Sequence, residues 1–191
     1  MERPVKPKLL ILSDLWGKQK MAWLTQYIEQ LENEFKVVFK DCRELGQVDT
    51  TIHEEKGLHE SFVNGGINRA VSTLSADHIE YAALLGVSIG GTIGWKAISQ
   101  GLKVQRYYGV SATRLRYETE KPDVPIWLYY GQNDPFISDT EWLKAMDIKR
   151  RFLPLNHKMY YEQEVAKLVC QQIINDMDKN DNLNRIEQEI K

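Results

Sequence analysis

The chain has 191 residues, 42% of them hydrophobic and 27% charged, with a formal net charge of −2. A chain of this length hides roughly 70% of its unfolded surface around a sizeable core, and a charged fraction this close to the globular average argues against disorder. The near-neutral balance leaves no electrostatic footprint for nucleic acid or an acidic membrane.

In chain order, residues 8–13 (KLLILS) are a short continuous apolar run, the pattern of a strand buried on both faces. After Asp14-Leu15-Trp16-Gly17, the apolar residues Met21, Leu24, Ile28, Leu31 and Phe35 recur at offsets of three and four, one face of a helix. Residues 35–40 (FKVVFK) read as a second strand, and 41–56 as a long polar loop, a type of segment that often carries function. Leu58, Phe62, Ile67, Ala70, Val71 and Leu74 mark an amphipathic helix. Residues 81–87 (YAALLGV) form a third buried strand, which runs into Ser88-Ile89-Gly90-Gly91 and a helix stopped near Gly101, a C-cap glycine. Strands follow at 103–110, 125–131 and 148–153, with helices over 138–146 and 160–177. Beyond Asp178 the tail is polar, and either frays or extends the last helix. The expected organisation is one domain over 1–191, with an N-terminal arm at 1–8 and a polar tail at 179–191.

Two cysteines, Cys42 and Cys170, are too few for a disulfide framework or a CxxC metal site, and read as core residues. The longest apolar stretch, 81–91, is too short to span a bilayer. The opening residues, 1–8, lack the apolar core and cleavage site of a signal peptide. The expectation is a soluble cytoplasmic domain, with no membrane and no nucleic acid among its partners.

Strands alternating with helices imply right-handed crossovers and a parallel sheet covered on both faces. Ligands bind such sheets beyond the carboxyl ends of the strands, so functional residues are sought just after strands. Gly86-Val87-Ser88-Ile89-Gly90 matches G-x-S-x-G there, between an apolar strand and a helix. Chance alone yields roughly 0.03 such matches in a chain of this glycine and serine content, so the flanking elements are what raise its weight. A serine on a sharp strand-to-helix turn needs small neighbours two before and two after it. The helix that follows aims its free N–H groups where an oxyanion would form. The plain alternative is an ordinary serine in a glycine-rich turn.

A serine hydroxyl needs a base to take its proton, and the base needs a carboxylate to orient it. His78 precedes the third strand, at the wrong end of the sheet, and His59 opens a helix where solvent surrounds it. His53, in the loop after the second strand, remains a candidate. His157 follows the sixth strand in a short loop before the closing helix and is the preferred base. Asp134, in Gly131-Gln132-Asn133-Asp134-Pro135-Phe136, directly follows the fifth strand and is the preferred acid. Asp14, after the first strand, is its rival. The order Ser88, Asp134, His157 is the nucleophile, acid, base order of one known fold.

Through Gly86-Val87-Ser88-Ile89-Gly90-Gly91, Gly131-Gln132-Asn133-Asp134 and Asn156-His157, the chain resembles an α/β-hydrolase. Arg106-Tyr107-Tyr108-Gly109-Val110, followed by a short loop and PIWLYYGQNDPF, is similar to the dienelactone hydrolase branch, which carries cysteine where this chain has Ser88. The resemblance spans about residues 9–177. It implies a three-layer α/β sandwich: a mostly parallel sheet of about six strands with helices on both faces. The family's leading antiparallel strands are missing, and residues 111–124 are too short for a cap domain. It also implies an oxyanion hole from the amide after the nucleophile, here Ile89, and one from the loop after the first strand. That loop lacks the usual His-Gly, and Leu15 is the choice there, with Trp16 the alternative.

Trp16 and Phe136 flank the expected site, where they line an acyl or alcohol pocket or pack into the core. Arg114 and Arg116 follow the fourth strand on the same side, where they pair an acidic substrate or face solvent. The glycines Gly90, Gly91 and Gly94 serve tight helix–sheet packing, since no Lys-Ser/Thr completes a phosphate loop. The expected function is a serine hydrolase acting on a small-molecule ester, thioester or related acyl bond, with no metal or organic cofactor. A non-catalytic binding protein that keeps the fold is the alternative. The exposed edge strand leaves a homo-oligomer open.

Overall fold

A computed structural model describes residues 5–189, with side chains through Asp178. Six strands form one sheet: β1 (Lys8–Leu12), β2 (Lys36–Lys40), β3 (Ala83–Val87), β4 (Tyr107–Val110), β5 (Ile126–Gly131) and β6 (Lys149–Leu153). Their order is β2-β1-β3-β4-β5-β6, and every pairing is parallel. The strand reading holds for all six, with ends moved by one or two residues and β4 shortened. Val104 contributes only an isolated bridge to Tyr81 before the chain turns into β4.

Alternation along each strand divides the core in two. Leu9 and Ile11 pack with Trp23, Tyr27 and Leu31 of the α1 side (Leu24–Leu31) and with Val169 and Ile173 of α7 (Gln163–Glu189). Leu10 and Leu12 point to the other face, where α2 (Cys42–Leu45), α3 (Glu55–Ser61), α4 (Ile67–Ser75), α5 (Ile89–Ser99) and α6 (Thr140–Ala145) lie. The result is the three-layer sandwich. Cys42 and Cys170 are free and buried, one in each layer. No described helix is long and apolar enough to cross a membrane.

Four details bear on the sequence reading, and three of them depart from it. Met21 is exposed and outside α1, because the chain makes a short 3-10 turn over Gly17–Lys20 before the helix begins; Trp23 and Tyr27 take up the buried face instead. The helix expected across Leu58–Leu74 is broken by a π turn over Phe62–Gly66, where Gly65 takes φ +117°, outside the helical region. Residues 41–56 are not a continuous loop. Asp41 caps α2 within them, and α3 starts at Glu55. The last helix extends into the polar tail as far as Glu189, one of the two courses open to that segment.

Asp41 does more than cap. Its Oδ1 accepts the Arg43 N–H at 2.7 Å, and its Oδ2 accepts the Lys18 N–H at 2.7 Å from the loop after β1. One buried carboxylate thus binds the two loops leaving β1 and β2 at the carboxyl edge of the sheet. Asp41→Ala leaves both N–H groups without that acceptor, and is expected to destabilise the protein by about 2–3 kcal/mol. Urea unfolding checks it, read as a lower midpoint at unchanged slope.

Candidate active site

The site begins with the turn after β3. Buried β3 delivers the chain to Ser88, whose backbone sits at φ +53°, ψ −118°, a conformation an L residue adopts only when its surroundings hold it there. The surroundings do so by contact. A Cβ on Gly86 would lie 2.7 Å from the Gly91 Cα, and one on Gly90 would lie 2.8 Å from the Leu12 carbonyl oxygen and closer still to that of Ser13. Glycine at both positions lets α5 press its first turn against the ends of β1 and β3. The Ser88 N–H donates to the Val110 carbonyl at 3.0 Å, and its own carbonyl accepts from Gly91 at 3.0 Å and Thr113 at 3.1 Å.

His157 opens a 3-10 turn after β6, capped by the Asn156 side chain, which accepts the Lys158 N–H at 2.9 Å. Its loop is zipped to the loop after β5: Gln132 N–H donates to the Leu153 carbonyl at 2.7 Å, and Asn133 N–H to that of Leu155 at 3.0 Å. Gly131 permits the crossing, since a Cβ there would lie 2.5 Å from the Asn156 carbonyl oxygen and nearer that of Leu155. The loops therefore carry Asp134 and His157 together. Ser88 Oγ lies 3.1 Å from His157 Nε2, and His157 Nδ1 lies 2.9 Å from Asp134 Oδ2. The second Asp134 oxygen accepts the Phe136 N–H at 2.8 Å, so the carboxylate cannot swing away freely. Such an arrangement can draw a proton from the serine and hold the resulting imidazolium.

Ser88 is only 2% exposed, yet it opens onto a cleft of about 530 Å³, together with Leu15, Ile89, Phe136 and His157. The Phe136 ring meets the imidazole edge-on at 5.0 Å. Ile89 is the first residue of α5, and its amide has no helical acceptor four residues back. In the loop after β1, the Trp16 N–H is already committed to Asp14 Oδ1 at 2.9 Å, whereas the Leu15 N–H has no hydrogen bond among the described residues. Of those two amides, Leu15 is the one free to meet a ligand.

Trp16 does not line the cleft, as one sequence reading had it, but packs against the core, as the other did. Its ring packs against the core below Lys20, whose Nζ lies 3.2 Å from the ring centroid. Phe136, Arg114 and Arg116 do line it. His53 and His78 are exposed and away from the cleft; His59 is exposed, as read from the sequence, and also lies on the cleft's α3 wall.

The rival acid, Asp14, is fully buried beside the histidine segment rather than bonded to the imidazole. Its Oδ2 accepts the Tyr160 hydroxyl at 3.1 Å, and the Tyr160 ring meets His157 edge-on at 6.2 Å. Asp14 thus links the loop after β1 to the turn bearing His157. Sequence reasoning missed this link and the Thr113 tether on Ser88. Neither partner carries a local signal, because each is set by packing between distant elements.

No family model matches the chain, and no curated protein does. Solved structures do. One is a protein provisionally assigned as a hydrolase of the alpha/beta superfamily from Xanthomonas campestris pv. campestris, with TM-score 0.64 and 14% identity over 90% of this chain and 99% of that one. Another, provisionally assigned as a dienelactone hydrolase from Klebsiella pneumoniae subsp. pneumoniae, gives 0.64 and 11% over 91% and 88%. An alpha-beta serine hydrolase homologue from Coxiella burnetii gives 0.56 and 18% over 89% and 87%. The chain has the α/β-hydrolase fold. In this α/β-hydrolase fold the described strands are all parallel, and β4 and β5 are joined by a loop holding one 3-10 turn, Leu115–Tyr117.

Burial pushes the Asp14 carboxyl up to about 6, against the opposing pull of its hydrogen bonds from Trp16 and Tyr160. Between about pH 4 and 6 the folded protein holds a proton that the unfolded chain releases, so Asp14 weakens the fold as pH rises through that window. The two-unit rise corresponds to about 3 kcal/mol lost by pH 7. Asp14→Asn keeps the shape and removes the titration. The stability difference between wild type and variant is expected to move toward the variant from pH 4 to pH 7, and chemical denaturation at both pH values measures it. A difference that does not change with pH would contradict the assignment.

Proposed function

We propose that the protein is a serine hydrolase that cleaves a small ester, thioester or related acyl bond through an acyl-enzyme. The observation that carries this reading is the hydrogen-bonded run from Ser88 Oγ through both nitrogens of His157 to Asp134, with the hydroxyl at the floor of a cleft sized for a small molecule. A protein that kept the fold only for binding has no use for an imidazole held at both ends. The neighbour from Coxiella burnetii is described as a serine hydrolase homologue, consistent with this chemistry.

In the first half-reaction, Ser88 Oγ bonds to the acyl carbon as His157 Nε2 takes the hydroxyl proton, and the carbonyl electron pair moves onto oxygen. Asp134 keeps the other imidazole proton on Nδ1, which leaves Nε2 free to act as base, and then stabilises the imidazolium. The oxyanion is held by the amides of Ile89 and Leu15. Losing one such donor costs about 3 kcal/mol of transition-state stabilisation. The bond to the leaving group breaks, and the departing oxygen or sulfur takes the proton from His157. Water then repeats the sequence: it gives a proton to His157, bonds to the acyl carbon, and the free acid departs as Ser88 recovers its proton.

A fluorophosphonate probe is expected to label Ser88, and Ser88→Ala to lose the label. In the same variant, hydrolysis of p-nitrophenyl butyrate should fall by about 10³-fold or more. Turnover equal to wild type in Ser88→Ala would overturn the proposal.

A further inference from the structure

The charge around the cleft differs in sign from that of the molecule. The chain carries a formal net charge of −2, yet the cleft is lined by Lys56, Arg114 and Arg116 against the single carboxylate of Glu55. The two arginines stand in the loop after β4. Arg114 takes φ +60°, a left-handed conformation unusual for a residue with a side chain. Its guanidinium carbon lies 4.8 Å from the centroid of the Tyr117 ring, and that of Arg116 lies 4.6 Å from the same centroid. Arg116 Nη2 also donates to the Tyr117 hydroxyl at 3.1 Å.

Two like charges gathered at one ring repel each other, and an acid between them would relieve the repulsion. None is there: among the described residues neither guanidinium has a carboxylate within 4.0 Å. The acid nearest in sequence, Glu118, is turned away to Lys96 Nζ at 2.9 Å. Tyr117 is 58% exposed, and both arginines are half-buried and line the cleft.

Both arginines are also registered to the proposed chemistry. Arg114 follows Thr113, whose N–H is bonded to the Ser88 carbonyl and whose own carbonyl accepts the Thr92 hydroxyl. Arg116 Nη1 lies 3.5 Å from the carbonyl of Phe136, the residue whose ring abuts His157. The loop that carries the cationic pair is therefore tied to the serine turn through Thr113 and to the Phe136 carbonyl through Arg116.

Resting on the hydrolase reading, we propose that Arg114 and Arg116 form a specificity site for an anionic group, a carboxylate or a phosphate, carried by the acyl substrate. Guanidinium groups suit such a ligand because their planar donors meet its oxygens in pairs. Tyr117 serves as the surface that keeps the two guanidiniums together.

The test compares kcat/KM for neutral p-nitrophenyl butyrate with three charged esters: the p-nitrophenyl half-ester of glutarate, 4-carboxyphenyl butyrate and 4-phosphonooxyphenyl butyrate. The first two place a carboxylate on the acyl or the leaving side, and the third offers a phosphate. For at least one of them, the ratio of charged to neutral kcat/KM is expected to fall about tenfold or more in R114Q/R116Q, and the wild-type ratio to shrink with added salt. Equal ratios in wild type and variant, with the neutral ester turned over, would overturn the anion site and leave the hydrolase reading intact. Calorimetry on Ser88→Ala reads binding of the same esters without turnover. Charged-ester binding that disappears in S88A/R114Q/R116Q supports the site; binding indifferent to the arginines overturns it. Arginine-dependent binding with no turnover of any ester by wild type would overturn the hydrolase reading alone.

Discussion

The site depends on how closely α5 approaches the sheet. For Ser88 to stand at the rim with a left-handed backbone, the first turn of α5 must lie against the carbonyls that end β1, and only hydrogen fits at Gly86 and Gly90. Gly91 extends the same contact to Ala112 in the loop after β4. The turn is thus clamped from three strands at once. Its strain is sustained by a buried surround that has no slack to relax into.

The parallel sheet supplies the rest. Because every strand runs the same way, the loops after β1, β3, β4, β5 and β6 all emerge at one edge. They are then tied to each other rather than left to wander: Asp41 joins the loops after β1 and β2, Thr113 holds the serine turn, and backbone bonds zip the Asp134 loop to the His157 loop. Asp14 and Tyr160 close the ring by joining the first loop to the last. Six loops that are far apart in the chain are bonded into one rim, the condition for holding polar groups at hydrogen-bond distance without ligand.

Electrostatics at this rim is divided by depth. Below, the carboxylates Asp14 and Asp134 are buried and each accepts backbone or hydroxyl donors. Above, the cationic side chains of the loop after β4 and of α3 face the cleft. The two carboxylates are kept from solvent, and among the described residues no ion pair joins them to the basic groups above.

Much of this was legible in the sequence for a physical reason. A strand buried on both faces must be an unbroken apolar run, and a serine on a tight turn must have glycines two residues away, so β3 and its turn are written locally. Asp134 and His157 follow from the rule that parallel sheets gather function at their carboxyl ends. What remained hidden was set by contacts between segments distant in sequence. The break at Gly65, the cap on α2, the turning of Trp16 under Lys20 and the burial of Asp14 against Tyr160 have no periodicity to announce them. The sequence alone determined which side chains are offered at the rim, because strand period and turn sterics act over a few residues. Only the tertiary structure decided which of them meet, because distances between loops depend on how two faces of one sheet are packed.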